Sequence, residues 1–231
     1  TRMLIQNLIS RVVPKSLFYK PKIVITIPSK ITDVEERAVE GVAYGTGAKA
    51  VFLMEEVMAA AIGAGLEIEK PEGCMIVDIG GGTSEMAVLS LGGIVSENSV
   101  KVAGDKFDRD IVEYIRTKHN VLIGDNEAEE IKIQIGSASA AMTEEKMSVK
   151  GRNLSTGLPE TVTVSTFDVN LAIKTSLETI LKAIKITLEN TPPELSSDVM
   201  SKGIVLCGGG ALLKNIDRYI SEQTGIPVFI S

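Results

Sequence analysis

The spacing of apolar positions divides the chain into short strands that alternate with amphipathic helices. Runs of β-branched and other apolar residues predict strands at residues 23–27, 51–54, 75–79, 85–90, 94–100, 146–150, 161–165, 203–207 and 227–230. Apolar residues three and four positions apart predict helices at residues 1–13, 32–44, 56–64, 106–118, 126–135 and 167–190, and in a segment that ends at residue 222. This alternation is typical of α/β proteins.

Local signals add boundaries and connections to this pattern. Thr32 and Glu35 have the spacing of a capping box at a helix start. Leu-Gly-Gly at residues 91–93 predicts a hairpin, which makes residues 75–100 a three-stranded meander. Pro192 and Pro193 are expected to end the long helix. The alternating segments 146–150 and 161–165 predict a small antiparallel sheet that belongs to a second domain or subdomain.

Composition narrows the class of protein. A chain of 231 residues can bury a sizeable core in one or two α/β domains. Its net charge of -6, without a basic run, argues against nucleic acid as a partner. Two isolated cysteines and one histidine suit neither a disulfide framework nor a zinc site, and fit a reducing cytosol. The most apolar stretch, residues 57–66, is too short to span a bilayer.

Two glycine-rich turns carry the clearest chemical signal: VDIGGGT at residues 77–83 and VLCGGGA at residues 205–211. Three glycines directly after a buried strand let backbone amides approach an anion closely. Asp78 and Thr83 add a carboxylate and a hydroxyl to the first turn, which suits a phosphate bound to Mg²⁺. A tight hairpin corner with a solvated aspartate is the alternative interpretation.

The usual single phosphate loops are absent from this sequence. It contains neither the GxxxxGK[ST] pattern nor GxGxxG. The sequence therefore predicts that hairpins and glycine turns share the contacts to phosphate.

Longer strings around these turns resemble the MreB family of bacterial actins, from about Lys22 to the last residue. They are VFLMEEVMAAAIGAGLEIEKPEGCMIVDIGGGTSEMAVLSLG, VAGDKFDRDI, LSTGLPETVTV, LENTPPELSSDVMSKGIVLCGGGALL and TGIPV. DIGGGT alone indicates only the superfamily of actins, heat-shock chaperones and sugar kinases, whereas STGLP and TPPEL are similar to MreB.

The resemblance implies an actin-like, ribonuclease H-like α/β fold with a nucleotide cleft between two domains. Residues 1–66 would be the remainder of the first domain. Residues 67–231 would be the second, with a small inserted subdomain at about 120–166. The family's first phosphate hairpin and its C-terminal end are expected to lie outside this sequence.

The function implied by the resemblance is an ATPase that uses ATP and Mg²⁺ and polymerises into membrane-associated filaments that govern cell shape. Its partners would be further copies of itself, the inner face of the cytoplasmic membrane and shape-determining membrane proteins, and its location cytoplasmic and peripheral. A non-polymerising phosphotransferase or chaperone-like ATPase of the same superfamily is the alternative. A nucleotide-binding scaffold without turnover is a third possibility, suggested by Val57 and by GDNE at residues 124–127.

Residue roles on the phosphate side follow from matched positions. Asp78 would help to hold Mg²⁺, and Glu56, in the string EEVMAAAIG, would orient the attacking water. Val57 replaces the proline that the family has at this helix start, which puts the placement of Glu56 in question. A helix-dipole role for Glu56 is the alternative. The second phosphate loop would consist of Gly80, Gly81, Gly82 and Thr83.

Further matched positions concern the nucleoside. Glu129 and Lys132, in AEEIK, would contact ribose and adenine, although their spacing alone indicates a surface ion pair. Gly104 and Asp105 match a smaller turn beside the nucleotide. The second glycine turn would lie against the adenosine and phosphates through Gly208, Gly209, Gly210, Ala211 and Leu212.

A possible membrane contact lies near the start of the chain. Leu17 and Phe18 stand among lysines in the segment 15–22, a pattern that suits insertion at an anionic lipid surface. The family resemblance assigns them that role. A loop that folds back onto the core is the alternative.

Overall fold

The computed structural model of the chain describes residues 3, 7–9, 11, 20–29, 31–139 and 144–231. The chain forms two compact units, Thr1–Ala59 and Ala60–Ser231. The assignment of residues 1–66 and 67–231 to two actin-like domains stays a prediction. Within the described ranges, every helix is too short or too polar to cross a membrane.

The first unit contains the predicted alternation of strand and helix. Its elements are β1 (Lys22–Ile27), α1 (Asp33–Tyr44), β2 (Ala50–Glu55) and the start of α2 (Glu56–Gly63), which runs on into the second unit. β1 and β2 pair in parallel, and α1 connects them. The capping box is confirmed: the Thr32 Oγ1 accepts from the Glu35 amide at 3.3 Å, and the Glu35 Oε2 accepts from the Thr32 amide at 3.0 Å.

The second unit is built on a five-stranded mixed sheet with the order β10-β9-β3-β4-β5. Its strands and helices are β3 (Cys74–Ile79), β4 (Ser84–Ser90), β5 (Gly93–Val100), α3 (Gly104–His119), β6 (Val121–Leu122), α4 (Asp125–Ile135), β7 (Lys146–Asn153), β8 (Pro159–Ser165), α5 (Thr166–Glu189), α6 (Pro193–Lys202), β9 (Ile204–Cys207), α7 (Ile216–Thr224) and β10 (Val228–Ile230). The predicted meander β3-β4-β5 is confirmed.

The position of β3 decides where the two glycine turns meet. β3 and β9 are adjacent and parallel, with Asp78 opposite Cys207. Because parallel strands end at the same edge of a sheet, the turns that follow them lie side by side. Apart from Asp78, every residue of β3 is buried, as expected for a strand covered on both faces. The core therefore holds both turns on a rigid support.

The small sheet is larger than predicted. β7 and β8 form the expected antiparallel hairpin, paired from Lys146↔Ser165 to Arg152↔Pro159. β6 adds a third strand beside β7. β6 has only two residues, too few for an alternating pattern to reveal it.

Helix α6 is absent from the sequence prediction, in which Pro192 and Pro193 only end the preceding helix. Pro193 is instead the first residue of α6. A proline is favoured there because the first helical amide needs no partner within the helix. Asp198 ties this helix to the start of β3, since its Oδ2 accepts from the Gly73 amide at 2.8 Å.

The buried Asp168, near the start of α5, connects this helix to the end of β8 and to α3. Its Oδ2 accepts from the Ser165 amide at 3.1 Å, and its Oδ1 accepts from the Tyr114 hydroxyl at 2.9 Å and pairs with Lys118. Burial alone would raise the pKa of Asp168, but the hydrogen bonds from Lys118, Ser165 and Tyr114 lower it to about 2.

We expect Asp168→Asn to lower the free energy of unfolding at pH 7 by about 2 kcal/mol. A carboxylate whose pKa is lower in the folded than in the unfolded protein stabilises the fold at every pH above its unfolded-state pKa. This stabilisation is lost as the pH falls toward the folded-state pKa. The difference between parent and variant should therefore shrink between pH 4 and the folded-state pKa of about 2. Urea denaturation at several pH values measures it. The exposed Asp125→Asn is the control, and an equal, pH-independent loss in both variants would contradict the prediction.

Candidate functional site at the ends of β3 and β9

The first glycine turn is bonded to the start of α3. The Gly80 amide donates to the Thr83 carbonyl at 3.0 Å and closes the turn. The Gly104 amide donates to the Gly80 carbonyl at 3.1 Å, and the Asp105 amide donates to the Gly81 carbonyl at 2.8 Å. The residue before α3 is an alanine that offers no side-chain cap, so the turn satisfies amides that a helix start leaves unpaired.

The second glycine turn approaches β3 too closely for side chains. Gly208 has φ of +82°, and a Cβ there would lie 2.3 Å from the Asp78 Oδ1 and 2.5 Å from the Ile79 carbonyl oxygen. A Cβ at Gly210 would lie 2.3 Å from the Ile79 Cγ2. Around Gly209, by contrast, a Cβ would meet no atom within 4 Å. The turn is therefore fixed by its flanking glycines and open at its middle.

The two turns, α3 and α4 enclose a cavity of about 390 Å³, within the range of small-molecule sites. Its lining consists of Gly80, Gly81, Gly104, Asp105, Phe107, Asp108, Glu129, Lys132, Ile133, Gly209, Gly210, Leu212 and Leu213. Most residues that the sequence singled out in this unit are thus brought together. The other predicted residues of the two turns do not line the cavity: Asp78, Gly82, Thr83, Gly208 and Ala211.

Three predicted residues are not part of the second unit as the structure describes it. Glu56 is the first residue of α2 and belongs to the first unit. Leu17 and Phe18 lie outside the described residues. Their roles stay predictions.

Sequence reasoning missed four lining residues: Phe107, Asp108, Ile133 and Leu213. Asp108 lies four residues after Gly104, so both face the same side of α3. Ile133 is 66% exposed and Leu212 is 75% exposed. These two side chains form an apolar part of the cavity wall that is accessible to water. The helical spacing from Gly104 could have indicated Asp108, whereas Ile133 had no distinguishing signal.

Lys132 pairs with Asp108 on α3, so the surface ion pair with Glu129 that the spacing alone suggested is wrong. The Lys132 Nζ lies 2.8 Å from the Asp108 Oδ1 and 2.9 Å from its Oδ2. The Nζ also donates to the Gly104 carbonyl at 3.5 Å. Burial raises the pKa of Asp108, and the hydrogen bond from Lys132 opposes this shift.

Asp78 stands at the end of β3, beside the second turn. Burial raises its pKa, and the neighbouring Cys207 thiol opposes the increase. In the structure this thiol donates to the Val77 carbonyl, with an S–O distance of 3.7 Å. Burial and the nearby Asp78 raise the pKa of Cys207 to about 12, so this thiol stays protonated at neutral pH.

The surroundings of Asp78 fit a hydrated magnesium ion. No group of three or more metal-ligating side chains occurs in the part of the chain that the structure describes. Mg²⁺ retains several waters and commonly takes only one or two carboxylates from the protein. Gly208 places backbone but no side chain beside the Asp78 Oδ1, and Asp78 itself is only partly buried. Asp78 can therefore serve as a single carboxylate ligand, directly or through water.

The chain is similar to proteins that determine cell shape. It is 46% identical to the cell shape-determining protein Mbl of Bacillus cereus, over the whole chain and 69% of that protein. It is 45% identical to the cell shape-determining protein MreB of Escherichia coli, over the whole chain and 67% of that protein.

A solved structure confirms the predicted fold. The crystal structure of MreB5 of Spiroplasma citri bound to AMPPNP matches 99% of this chain and 69% of its own, with a TM-score of 0.94 and 39% identity. The family model described as MreB/Mbl protein matches residues 1–231. Matched along its entire length, the chain belongs to the MreB/Mbl family and has the actin-like fold.

Proposed function

We propose that this chain binds ATP in the cavity between its two glycine turns. The observation that carries the proposal is the convergence of both turns at one edge of the sheet, around a cavity lined by glycines of both turns and by the apolar side chains of Ile133 and Leu212. Glycine turns are suited to binding phosphates, and an apolar wall is suited to packing against a nucleotide base. One cavity therefore offers both kinds of contact. The relative from Spiroplasma citri, bound to AMPPNP, supports this choice of ligand.

The residues divide by their chemistry. Gly80, Gly81, Gly82 and Thr83 would receive phosphate oxygens, with Gly209 open toward the ligand. Glu129 would accept from ribose hydroxyls, while Lys132, Ile133 and Leu212 would border the base. Asp78 would hold Mg²⁺, which neutralises phosphate charge when it is bound.

Hydrolysis is assigned to a water that Glu56 orients. A carboxylate that accepts a hydrogen bond from water can align it with the terminal phosphate, and phosphoryl transfer depends mainly on such positioning. Glu56 follows β2 directly and opens α2, so its backbone is fixed from both sides. Val57 is buried in the first turn of this helix and anchors it without the proline that the family has there.

The proposed role in the cell is assembly with further copies into cytoskeletal filaments at the inner face of the membrane. The cell shape-determining names of the relatives support it. Leu17 and Phe18 would contact lipid, and shape-determining membrane proteins would be further partners. The chain would then be a cytoplasmic protein held peripherally at the membrane.

We expect ATP with Mg²⁺ to produce filaments, because nucleotide-dependent assembly is the property that distinguishes this function from a non-polymerising ATPase. Light scattering and sedimentation should rise above the nucleotide-free baseline, and electron microscopy should show polymers. Phosphate release measured in the same samples tests hydrolysis. Phosphate release without sedimentation at any salt concentration would favour the non-polymerising phosphotransferase or chaperone-like ATPase. Filament assembly without phosphate release would favour a nucleotide-binding scaffold without turnover.

A further inference from the structure

Among the described residues that line the cavity there are one ammonium and three carboxylates: Lys132 with Asp105, Asp108 and Glu129. The ammonium is paired. The Lys132 Nζ lies within 2.9 Å of both oxygens of Asp108, and the two side chains are only 15% and 12% exposed. A charge-assisted contact so shielded from water is strong and directional. Lys132 is therefore held against α3 by Asp108.

This pairing sets the electrostatics of the cavity near α4. An uncompensated ammonium beside a partly buried cavity would attract phosphate. With Lys132 neutralised by Asp108, the other charged residues of the lining are Asp105 and Glu129. Both are negative, and neither forms an ion pair with another residue that the structure describes. Phosphate is repelled there, whereas an uncharged nucleoside is not.

We propose that Asp108 is a positioning and specificity residue: by holding and neutralising Lys132, it reserves this side of the cavity for a nucleoside and confines phosphate to the glycine turns. The inference rests on the proposed nucleotide binding and adds a residue that acts through Lys132. Asp108 borders the cavity, but its effect is transmitted by the ammonium that it fixes.

The test is a double-mutant cycle with two probes, adenosine and inorganic pyrophosphate, titrated calorimetrically. We expect Asp108→Asn to weaken adenosine binding about tenfold, because the released lysine no longer has a fixed place. The same variant should bind pyrophosphate several times more tightly. In the Lys132→Met background, Asp108→Asn should no longer change the dissociation constant of adenosine, because Asp108 has no ammonium left to hold. Its effect on pyrophosphate should shrink to the smaller effect of removing one carboxylate that borders the cavity.

Asp110→Asn is the matched control. Asp110 is also on α3 and pairs with a lysine, Lys106, but it does not line the cavity. It should leave both dissociation constants unchanged. Three results would overturn the inference. They are equal effects of Asp108→Asn with and without Lys132, no effect of Asp108→Asn, and the same effect from Asp110→Asn. A parent protein that binds no ATP would instead refute the proposed function.

Discussion

Gly208→Ala is expected to lower the free energy of unfolding by about 3 kcal/mol, because strain at positive φ and a steric clash add together. Gly208 has φ of +82°, and its new methyl group would lie 2.3 Å from the Asp78 Oδ1. The backbone of β3 would have to move, and the site of the proposed magnesium ligand with it. Chemical denaturation measures the loss, and nucleotide titration should show that binding is abolished.

The neighbouring Gly209→Ala is the control for this substitution. A Cβ at Gly209 would meet no atom within 4 Å, and its backbone is part of a short 3₁₀ helix that alanine can adopt. Its free energy of unfolding should stay within about 0.5 kcal/mol of the parent. Equal destabilisation by both substitutions would show that the close approach of the second turn to β3 does not limit stability.

Glu56→Gln is expected to slow ATP hydrolysis about a hundredfold or more, because an amide is a much weaker acceptor for the proton of the attacking water. Nucleotide affinity should change by no more than about twofold, since the proposed binding contacts lie elsewhere. Single-turnover phosphate release measures the rate, and fluorescence titration of a labelled nucleotide measures the affinity.

Glu55→Gln provides the matched control, since Glu55 is the adjacent carboxylate at the end of β2. It should hydrolyse ATP at a rate close to the parent's. Phosphate release by Glu56→Gln at the parental rate would remove Glu56 from catalysis. A comparable loss in both variants would point to the start of the helix as a whole instead of to one oriented carboxylate.

The sequence was sufficient for most of the strands and helices and for most of the cavity lining, but not for β6 or α6. Strands such as β3 are marked by continuous apolar runs, and the glycines at Gly80 and Gly209 by their position directly after such strands. Once β3 and β9 are parallel neighbours, the meeting of the two turns follows. The local pattern and the family resemblance therefore converge on the same edge of the sheet.

The remainder depended on contacts that no local pattern encodes. Lys132 has an acidic neighbour at helical spacing, Glu129, yet its partner is Asp108, 24 residues earlier in the chain. Only the packing of α3 against α4 brings these two side chains together. Pro193 illustrates a different limit, because a proline that ends one helix and a proline that begins the next look the same in the sequence.

Helix α3 connects two distant parts of the second unit. Its first amides are bonded to the Gly80 and Gly81 carbonyls. With 16 residues it extends about 24 Å. Just beyond its other end, the Asn120 side chain donates to the Ser155 Oγ at 2.7 Å. The backbone carbonyl of Asn120 accepts from the Leu154 amide at 2.9 Å. A rigid rod thus couples the first glycine turn to the tip of the β7-β8 hairpin, so a displacement at either end strains hydrogen bonds at the other.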